Sequence, residues 1–131
     1  FHKAYKRKKA REYIYRLTND GLELSIEQFK DITTAGCGAS INYTGVYILY
    51  NKTKDIYYIG QATQLYLKIN AHFSGIGNCN VYADYKRGDK FTIKIIRFDK
   101  SGFANLDELE SATIMKYDAY RNSYSKTCED K

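Results

Sequence analysis

The stretch that decides the fold reads Gly-Val-Tyr-Ile-Leu-Tyr-Asn over residues 45–51, Lys-Thr-Lys-Asp over 52–55 and Ile-Tyr-Tyr-Ile-Gly over 56–60. The first and third segments are rich in β-branched and aromatic residues, which favour strands. The four residues between them are polar, as in the connection of a hairpin. The pattern therefore predicts a β-hairpin with Tyr47 on its first strand and Tyr58 on its second.

The residues that follow the hairpin predict two core helices and one further strand. Apolar residues recur at helical spacing over 65–73, and the glycine-containing stretch 74–78 breaks this pattern and begins an irregular loop. Residues 91–98 start with alternating apolar and polar side chains, which is typical of a strand. Residues 106–117 form the second core helix. We expect an α+β fold made of a hairpin, a third antiparallel strand and two packed helices.

The residues before the hairpin are predicted to form a helical extension. Residues 1–17 contain no glycine and predict a basic helix that ends at an Asn-Asp-Gly turn. Residues 25–28, Ser-Ile-Glu-Gln, fit a capping box at the start of a short amphipathic helix. The small and polar residues 36–42 are typical of a linker. We therefore divide the chain into an N-terminal helical extension with its linker, 1–42, and a main domain, 43–131.

The positive charge of the chain is concentrated at its N-terminus. The net charge is +6, and residues 1–17 carry seven basic side chains against one glutamate, whereas the other 14 basic and 14 acidic residues cancel. Such a block attracts the phosphates of nucleic acid, but a solvated surface helix or another anionic partner would explain it about as well. The candidate nucleic-acid contacts in this block are Lys3, Lys6, Arg7, Lys8, Lys9 and Arg11.

Composition also excludes several classes of protein. The chain has 44% hydrophobic and 27% charged residues, which is typical of one globular core and excludes a disordered chain. No apolar run approaches the roughly 20 residues of a membrane span, so no membrane association is expected. Cys37, Cys79 and Cys128 are far apart and lack the spacing of zinc ligands. We interpret them as reduced thiols of a cytoplasmic protein.

Glu110 is the most unusual residue of the second core helix. The apolar stripe of this helix consists of Leu106, Leu109, Ile114 and Tyr117. Helical spacing puts Glu110 within that stripe. A carboxylate that faces a core needs a cation, a metal or several donors, unless it lies at the rim and reaches water. Helix spacing alone favours the position at the rim.

Two further features are compatible with a site. Lys68 and His72 lie four residues apart on the first core helix and share a face, from which they could hold a phosphate and assist proton transfer. Such a pair is more often ordinary surface. The tyrosines of the hairpin, Tyr47, Tyr57 and Tyr58, are explained equally well by the β-propensity of tyrosine. Taken singly, none of these features identifies a function.

Taken in order along the chain, these features closely resemble the GIY-YIG nuclease family. The matching residues are Gly45-Val46-Tyr47, Tyr58-Ile59-Gly60 after ten intervening residues, Lys68, His72 and Glu110. The resemblance runs from about Gly45 to Tyr124 and implies a small α+β domain whose three-stranded antiparallel sheet is flanked by helices. It also implies a divalent metal, Mg²⁺ or Mn²⁺, and double-stranded DNA as the partner.

The resemblance gives each matching residue a role. Glu110 is expected to be the metal ligand and Tyr47 the general base or the hydroxyl that positions the water. Tyr58 is its partner at the phosphate, and His72 is an auxiliary group. The implied reaction is hydrolysis of a phosphodiester, in which a hard cation on a carboxylate stabilises charge on the nonbridging oxygens and on the leaving 3′-alkoxide.

Two departures from the family pattern bear on activity. Lys68 stands in place of an arginine and keeps the charge that contacts nucleic acid, but it loses the two-pronged grip on phosphate oxygens. Ser123-Tyr124-Ser125 stands where the family commonly has Gly-Tyr-Asn, which makes Ser125 an auxiliary residue in place of asparagine.

Three functions remain open at this point. The leading expectation is a metal-dependent DNA endonuclease of weakened or altered activity. The alternative is a catalytically degenerate nucleic-acid-binding module of the same fold. The third is a protein-interaction domain whose basic helix binds an acidic partner, an interpretation that the 15% aromatic content supports only slightly.

Overall fold

The computed structural model describes residues 2–117, 119 and 123–124, and these residues form an α+β fold as expected. None of the helices among these residues is long and apolar enough to span a membrane. The strands are β1 (Leu24–Ser25), β2 (Gly45–Asn51), β3 (Ile56–Ala62) and β4 (Phe91–Arg97). The α-helices are α1 (His2–Tyr15), α2 (Ile26–Thr34), α3 (Leu65–Ser74), α4 (Cys79–Arg87) and α5 (Leu106–Lys116).

The predicted hairpin is present, and its first strand is central in the sheet. β2 and β3 are antiparallel neighbours, so that Tyr47 lies opposite Gly60 and Leu49 lies opposite Tyr58. β4 pairs with the other edge of β2, also antiparallel. The strand order is β1-β4-β2-β3, and β2 therefore has a hydrogen-bonded neighbour on each side.

The sheet has four strands, whereas three were expected. The additional strand, β1, is two residues long and pairs with β4 through Leu24 and Ser25. It was missed because two residues are too few to produce a recognisable alternation. Leu24 is fully buried, so this part of the N-terminal extension is joined to the sheet by both backbone pairing and core packing. The division of the chain at residue 42 stays a prediction.

Both faces of the sheet are covered, and the side chains of β2 alternate between them. Tyr47 and Leu49 belong to the apolar cluster under α2 and α3, whereas Val46 and Ile48 belong to the cluster under α5. Each of these four side chains is at most 2% exposed. The alternation therefore fixes Tyr47 on the side of the sheet that α3 covers.

The start of α2 and the glycine at which the N-terminal helical segment ends are those that the sequence predicts. The Ser25 side chain accepts a hydrogen bond from the Gln28 N–H over 3.1 Å, and Gln28 Oε1 accepts one from the Ser25 N–H over 3.0 Å. These two bonds form the predicted capping box of α2. α1 continues into a short π-helix, Arg16–Asp20. This segment ends at Gly21, which has a φ of 62°. That conformation favours glycine, which explains why the helix stops there.

The helix α4 was not predicted. The stretch from Ser74 was expected to begin an irregular loop, but the loop is confined to 75–78 and a helix follows. The Asn78 side-chain oxygen accepts hydrogen bonds from the N–H groups of Asn80 over 2.9 Å and Val81 over 3.1 Å. Asn78 is therefore the N-cap of α4. The glycines before it obscured this cap, because they are typical of a loop.

The expectation for Cys79 was wrong, and the predicted linker is more structured than its composition suggests. The predicted linker contains a short 3-10 helix, Gly38–Ile41, and Ile41 is fully buried, so this segment is packed against the core. Cys79, expected as a reduced thiol, is disulfide-bonded, whereas Cys37 is free. Cys128 lies outside the described residues. Spacing along the sequence does not reveal this bond, because pairing depends on how close two cysteines lie in the fold.

Candidate active site

Two tyrosines of the hairpin stack on the face of the sheet that α3 covers. Tyr47 and Tyr58 are on neighbouring strands and point to the same side. Their ring centroids are 6.0 Å apart and their planes differ by 11°. The Tyr47 side chain is 1% exposed and that of Tyr58 is 3% exposed. The expectation that these tyrosines lie on adjacent strands is confirmed, and both rings are part of the core.

His72 meets the two tyrosines from α3. Its Nε2 lies 2.8 Å from the Tyr47 hydroxyl oxygen. Its ring centroid is 5.3 Å from that of Tyr47 and 4.8 Å from that of Tyr58. Buried Ile69 and Phe73 hold this side of α3 against the sheet, and His72 itself is fully buried. The fold therefore assembles Tyr47, Tyr58 and His72 into one compact group.

Glycine makes the close packing of this group possible. A Cβ at Gly60, opposite Tyr47 in the sheet, would lie 2.4 Å from the Tyr47 hydroxyl oxygen. A Cβ at Gly77, in the loop after α3, would lie 2.5 Å from Nδ1 of His72. Both distances are well inside normal contact, so a larger residue at either position must displace the ring beside it.

Asn78 is a site residue that sequence reasoning missed. Its backbone N–H donates a hydrogen bond to Nδ1 of His72 over 2.9 Å, and the residue is fully buried. The signal that could have found it is an asparagine followed by a segment with helical spacing, which is typical of an N-cap. The contact with His72 has no such signal, because it depends on how the loop folds back.

Lys68 lines an open cleft one helical turn before His72. The cleft has a volume of about 360 Å³ and is lined by residues 61–64, Leu67, Lys68 and Ala71. Lys68 is half-buried, so its stem packs against the protein while the ammonium group can remain in water. The ion pairs between described residues do not include one that joins Lys68 to Glu110.

Glu110 lies on α5 and is half-buried, as a position at the rim of the apolar stripe predicts. The first turn of α5 is tied to the end of β3, because Gln61 Nε2 donates a hydrogen bond to Asp107 Oδ1 over 2.6 Å. Gln61 also lines the cleft of Lys68. Asp107 is exposed, whereas Glu110 is half-buried within the apolar stripe that packs on the sheet.

The chemistry of Glu110 is compatible with a divalent metal ion. The described residues contain no cluster of three or more His, Cys, Asp or Glu side chains that could bind a metal. Zinc sites require such clusters, whereas Mg²⁺ usually keeps several waters and takes one or two carboxylates together with phosphate oxygens. Glu110 is a half-buried carboxylate, and a carboxylate is a ligand of the second kind.

The candidate nucleic-acid contacts of the N-terminal block lie on α1. Lys9 is half-buried, and its Nζ lies 4.0 Å from Glu12 Oε2. The other described members of the set are exposed. Tyr5 and Tyr15 on the same helix are 59% and 57% exposed. The side chain of Lys3 and the whole of Ser125 lie outside the described part of the chain. The exposed basic residues are Lys6, Arg7, Lys8 and Arg11.

A separate buried polar cluster holds the far end of the hairpin. Asn51 donates hydrogen bonds to Asp89 over 2.9 Å and to the Tyr124 hydroxyl over 2.8 Å. Asp84 accepts hydrogen bonds from Tyr124 over 2.6 Å and from Lys54 over 2.9 Å. Burial raises the pKa of Asp84, but these two hydrogen bonds and the nearby positive charges outweigh it, so that the pKa lies below its ordinary value. The cluster joins the hairpin turn to α4.

The fold and the tyrosine–histidine group thus define a small α+β domain with a candidate hydrolytic site. The family profile of the GIY-YIG catalytic domain matches residues 43–125, more than half of the chain. The chain therefore belongs to the GIY-YIG family, and the resemblance inferred from the motif residues is confirmed. Domains of this family are generally nucleases that act on nucleic acid and typically use divalent metals. No curated protein and no solved structure was found to match the chain.

Proposed function

We propose that this protein is a metal-dependent endonuclease that hydrolyses phosphodiester bonds in double-stranded DNA. The observation that carries the proposal is the hydrogen bond between Tyr47 and His72, with Tyr58 stacked beside it, inside a domain of the nuclease family. A polar group this buried is costly unless its members bond to one another, and a core needs no such group for stability. Its presence is explained if the hydroxyl and imidazole serve a reaction.

Tyr47 positions the attacking water and accepts its proton in the proposed reaction. Tyr47 reacts as the phenolate, after its hydroxyl proton has left. The water oxygen bonds to phosphorus, one water proton passes to this phenolate oxygen, the bond from phosphorus to the 3′-oxygen breaks, and the leaving 3′-oxygen takes a proton from solvent water. The rigid position of Tyr47 on the central strand favours this role, because the attacking water must be held in line with the leaving oxygen. Tyr58 and His72 both pack against the Tyr47 ring and hold it in place.

Glu110 would hold the divalent cation, Mg²⁺ or Mn²⁺, together with water and phosphate oxygens. When bound, the cation supplies positive charge against the charge that develops on the phosphate oxygens and on the leaving group. Lys68, which lines the cleft, contributes a second positive charge to a phosphate placed there. An ammonium group does this as a point charge, which is consistent with a weakened activity.

The basic residues of α1 would contact the DNA backbone outside the site. Lys6, Arg7, Lys8 and Arg11 are exposed on a helix that is polar on most of its surface, so they are available to phosphates. Such contacts give affinity without sequence specificity. We assign Lys3 and Lys9 to the same surface, and Ser125 to an auxiliary role near the site.

The experiment that tests the proposal is nicking of supercoiled plasmid with Mg²⁺ or Mn²⁺. The wild type should nick the plasmid only with the metal. Glu110→Gln, which removes the charge but keeps the shape, should lower the rate by at least about 100-fold. Glu108→Gln is the matched control, because Glu108 is an exposed carboxylate on the same helix and should nick like the wild type. Full activity of Glu110→Gln would contradict the proposal.

The alternative function is a nucleic-acid-binding module that no longer cleaves. The near-complete burial of Tyr47 and Tyr58 favours it, because a buried phenol is harder for a phosphodiester to reach. A binding module would be retained on DNA with a steep dependence on salt, and it would not nick plasmid with any metal. A protein that neither nicks nor binds DNA would instead be a protein-interaction domain.

A further inference from the structure

We propose that the loop between α3 and α4 fixes His72 as the tautomer protonated at Nε2, so that His72 donates a hydrogen bond to Tyr47 and does not accept its proton. The catalytic part of this inference rests on the proposed function. The tautomer itself follows from the geometry of three groups: the Asn78 backbone, the imidazole and the Tyr47 hydroxyl.

The hydrogen bond at Nδ1 decides the tautomer. A backbone N–H can only donate, and the Asn78 N–H lies 2.9 Å from Nδ1 of His72. Nδ1 must therefore be the acceptor and carry no proton. In a neutral imidazole the proton is then on Nε2. A proton on Nδ1, in the other tautomer or in the imidazolium, would set two N–H donors against each other in a fully buried place.

The direction of the second hydrogen bond follows. Nε2 of His72 lies 2.8 Å from the Tyr47 hydroxyl oxygen, so the Nε2–H donates and the phenol oxygen accepts. His72 has no lone pair left for the proton of Tyr47. The phenol proton must therefore leave to a group other than His72, and His72 then stabilises the negative oxygen through its N–H. When this oxygen takes a proton from the attacking water, His72 keeps its own proton throughout.

The loop is built to hold this contact. Asn78 receives the N–H groups of Asn80 and Val81 on its side chain, and these bonds fix its own backbone at the start of α4. Gly77 leaves room for the ring, since a Cβ there would lie 2.5 Å from Nδ1. Asn78 is therefore a positioning residue, which acts on Tyr47 only through His72.

The first test measures the tautomer without any cleavage assay. In protein labelled with ¹⁵N-histidine, a long-range ¹H–¹⁵N spectrum at neutral pH distinguishes a protonated from an unprotonated ring nitrogen. We expect the unprotonated signal for Nδ1 of His72 and the protonated signal for Nε2. The opposite pattern would overturn the inference. This result does not depend on nuclease activity, so it stands even if the proposed function fails.

The second test distinguishes whether His72 acts as a hydrogen-bond donor to Tyr47 or as a base that takes its proton. His72→Gln replaces the imidazole by an amide whose N–H groups can reach toward Tyr47 but which cannot take a proton. We expect His72→Gln to nick plasmid within about tenfold of the wild type and His72→Ala to lose about 100-fold or more. Equal losses in both variants, each folded by circular dichroism, would mean that His72 acts as a base and would contradict the inference.

The third test concerns Asn78. Asn78→Ala removes the cap of α4, and we expect both ring nitrogens of His72 to shift toward the average of the two tautomers. Asn78→Ser keeps a capping oxygen and should restore the wild-type signals, because serine and asparagine cap helices about equally well. Unchanged signals in Asn78→Ala would show that its side chain has no positioning role.

Discussion

Gly60→Ala adds a single methyl group directly against the Tyr47 hydroxyl, and it therefore tests the packing of the site. The added Cβ would lie 2.4 Å from the Tyr47 hydroxyl oxygen and 2.6 Å from the ring carbon that bears it. Ordinary contacts begin at 3.4 Å, so the hydroxyl must move by about 1 Å. The backbone of Gly60 is not in the left-handed region, so alanine causes no backbone strain and the effect comes from this contact.

The cost can be worked out from the same geometry. A shift of about 1 Å disturbs the 2.8 Å hydrogen bond between Tyr47 and His72. Overpacking costs about 1–3 kcal/mol and a lost hydrogen bond costs about 1 kcal/mol net, so we expect a destabilisation of about 2–4 kcal/mol. For a chain of 131 residues this lowers the melting temperature by about 7–15 °C. The nicking rate should fall by about 100-fold, because the Tyr47 hydroxyl no longer lies where it can position the attacking water.

The assays are thermal unfolding by circular dichroism and plasmid nicking well below the melting temperature. Gly38→Ala is the matched control, since its Cβ would lie 2.2 Å from a ring carbon of Tyr66, outside the group formed by Tyr47 and His72. It should lose stability but keep its nicking rate. The reasoning is refuted if Gly60→Ala nicks like the wild type, or if Gly38→Ala loses as much activity as Gly60→Ala.

Two further predictions concern charged residues. Lys68→Arg should raise the nicking rate about tenfold, because arginine contacts two phosphate oxygens at once. This is equivalent to about 1.4 kcal/mol of transition-state stabilisation. Single-turnover nicking rates measure the effect, and an unchanged rate would argue against a phosphate at Lys68. Asp84→Asn should lower the free energy of unfolding by about 1–3 kcal/mol at neutral pH. Because the pKa of Asp84 is lowered in the folded protein, its contribution is present above the ordinary aspartate pKa of about 4 and is lost as the pH falls through the folded value. Urea unfolding as a function of pH should therefore show the two proteins converging in acid, and a constant difference would contradict this.

The features that could be predicted from the sequence are those with a local cause. The hairpin follows from β-propensity and a polar turn, and period-two alternation then puts Tyr47 and Tyr58 on one face. The capping box of α2 follows from Ser25 and Gln28 alone. Glu110 could be recognised as unusual because helical spacing put a carboxylate in an apolar stripe, and its half-buried position agrees with that analysis.

The features that could not be predicted depend on contacts between distant segments. β1 is too short to show a pattern and exists because β4 offers it an edge. The helix α4 was obscured by the glycines before it, although Asn78 is a strong cap. The hydrogen bond from Asn78 to His72 and the disulfide of Cys79 both depend on where a loop or a distant segment folds back. No propensity or spacing within a single element carries that information.

The central claim is that the Tyr47 hydroxyl acts in phosphodiester hydrolysis, and the most direct measurement is single-turnover nicking by Tyr47→Phe. This change removes one oxygen and keeps the ring that packs in the core. The control is Tyr50→Phe on the opposite face of the same strand, which also loses a hydroxyl bond, that of 2.6 Å to Asp55. We expect Tyr47→Phe to nick at least about 100-fold more slowly than the wild type, with Tyr50→Phe unchanged. A folded Tyr47→Phe protein that nicks plasmid at the wild-type rate would contradict the account.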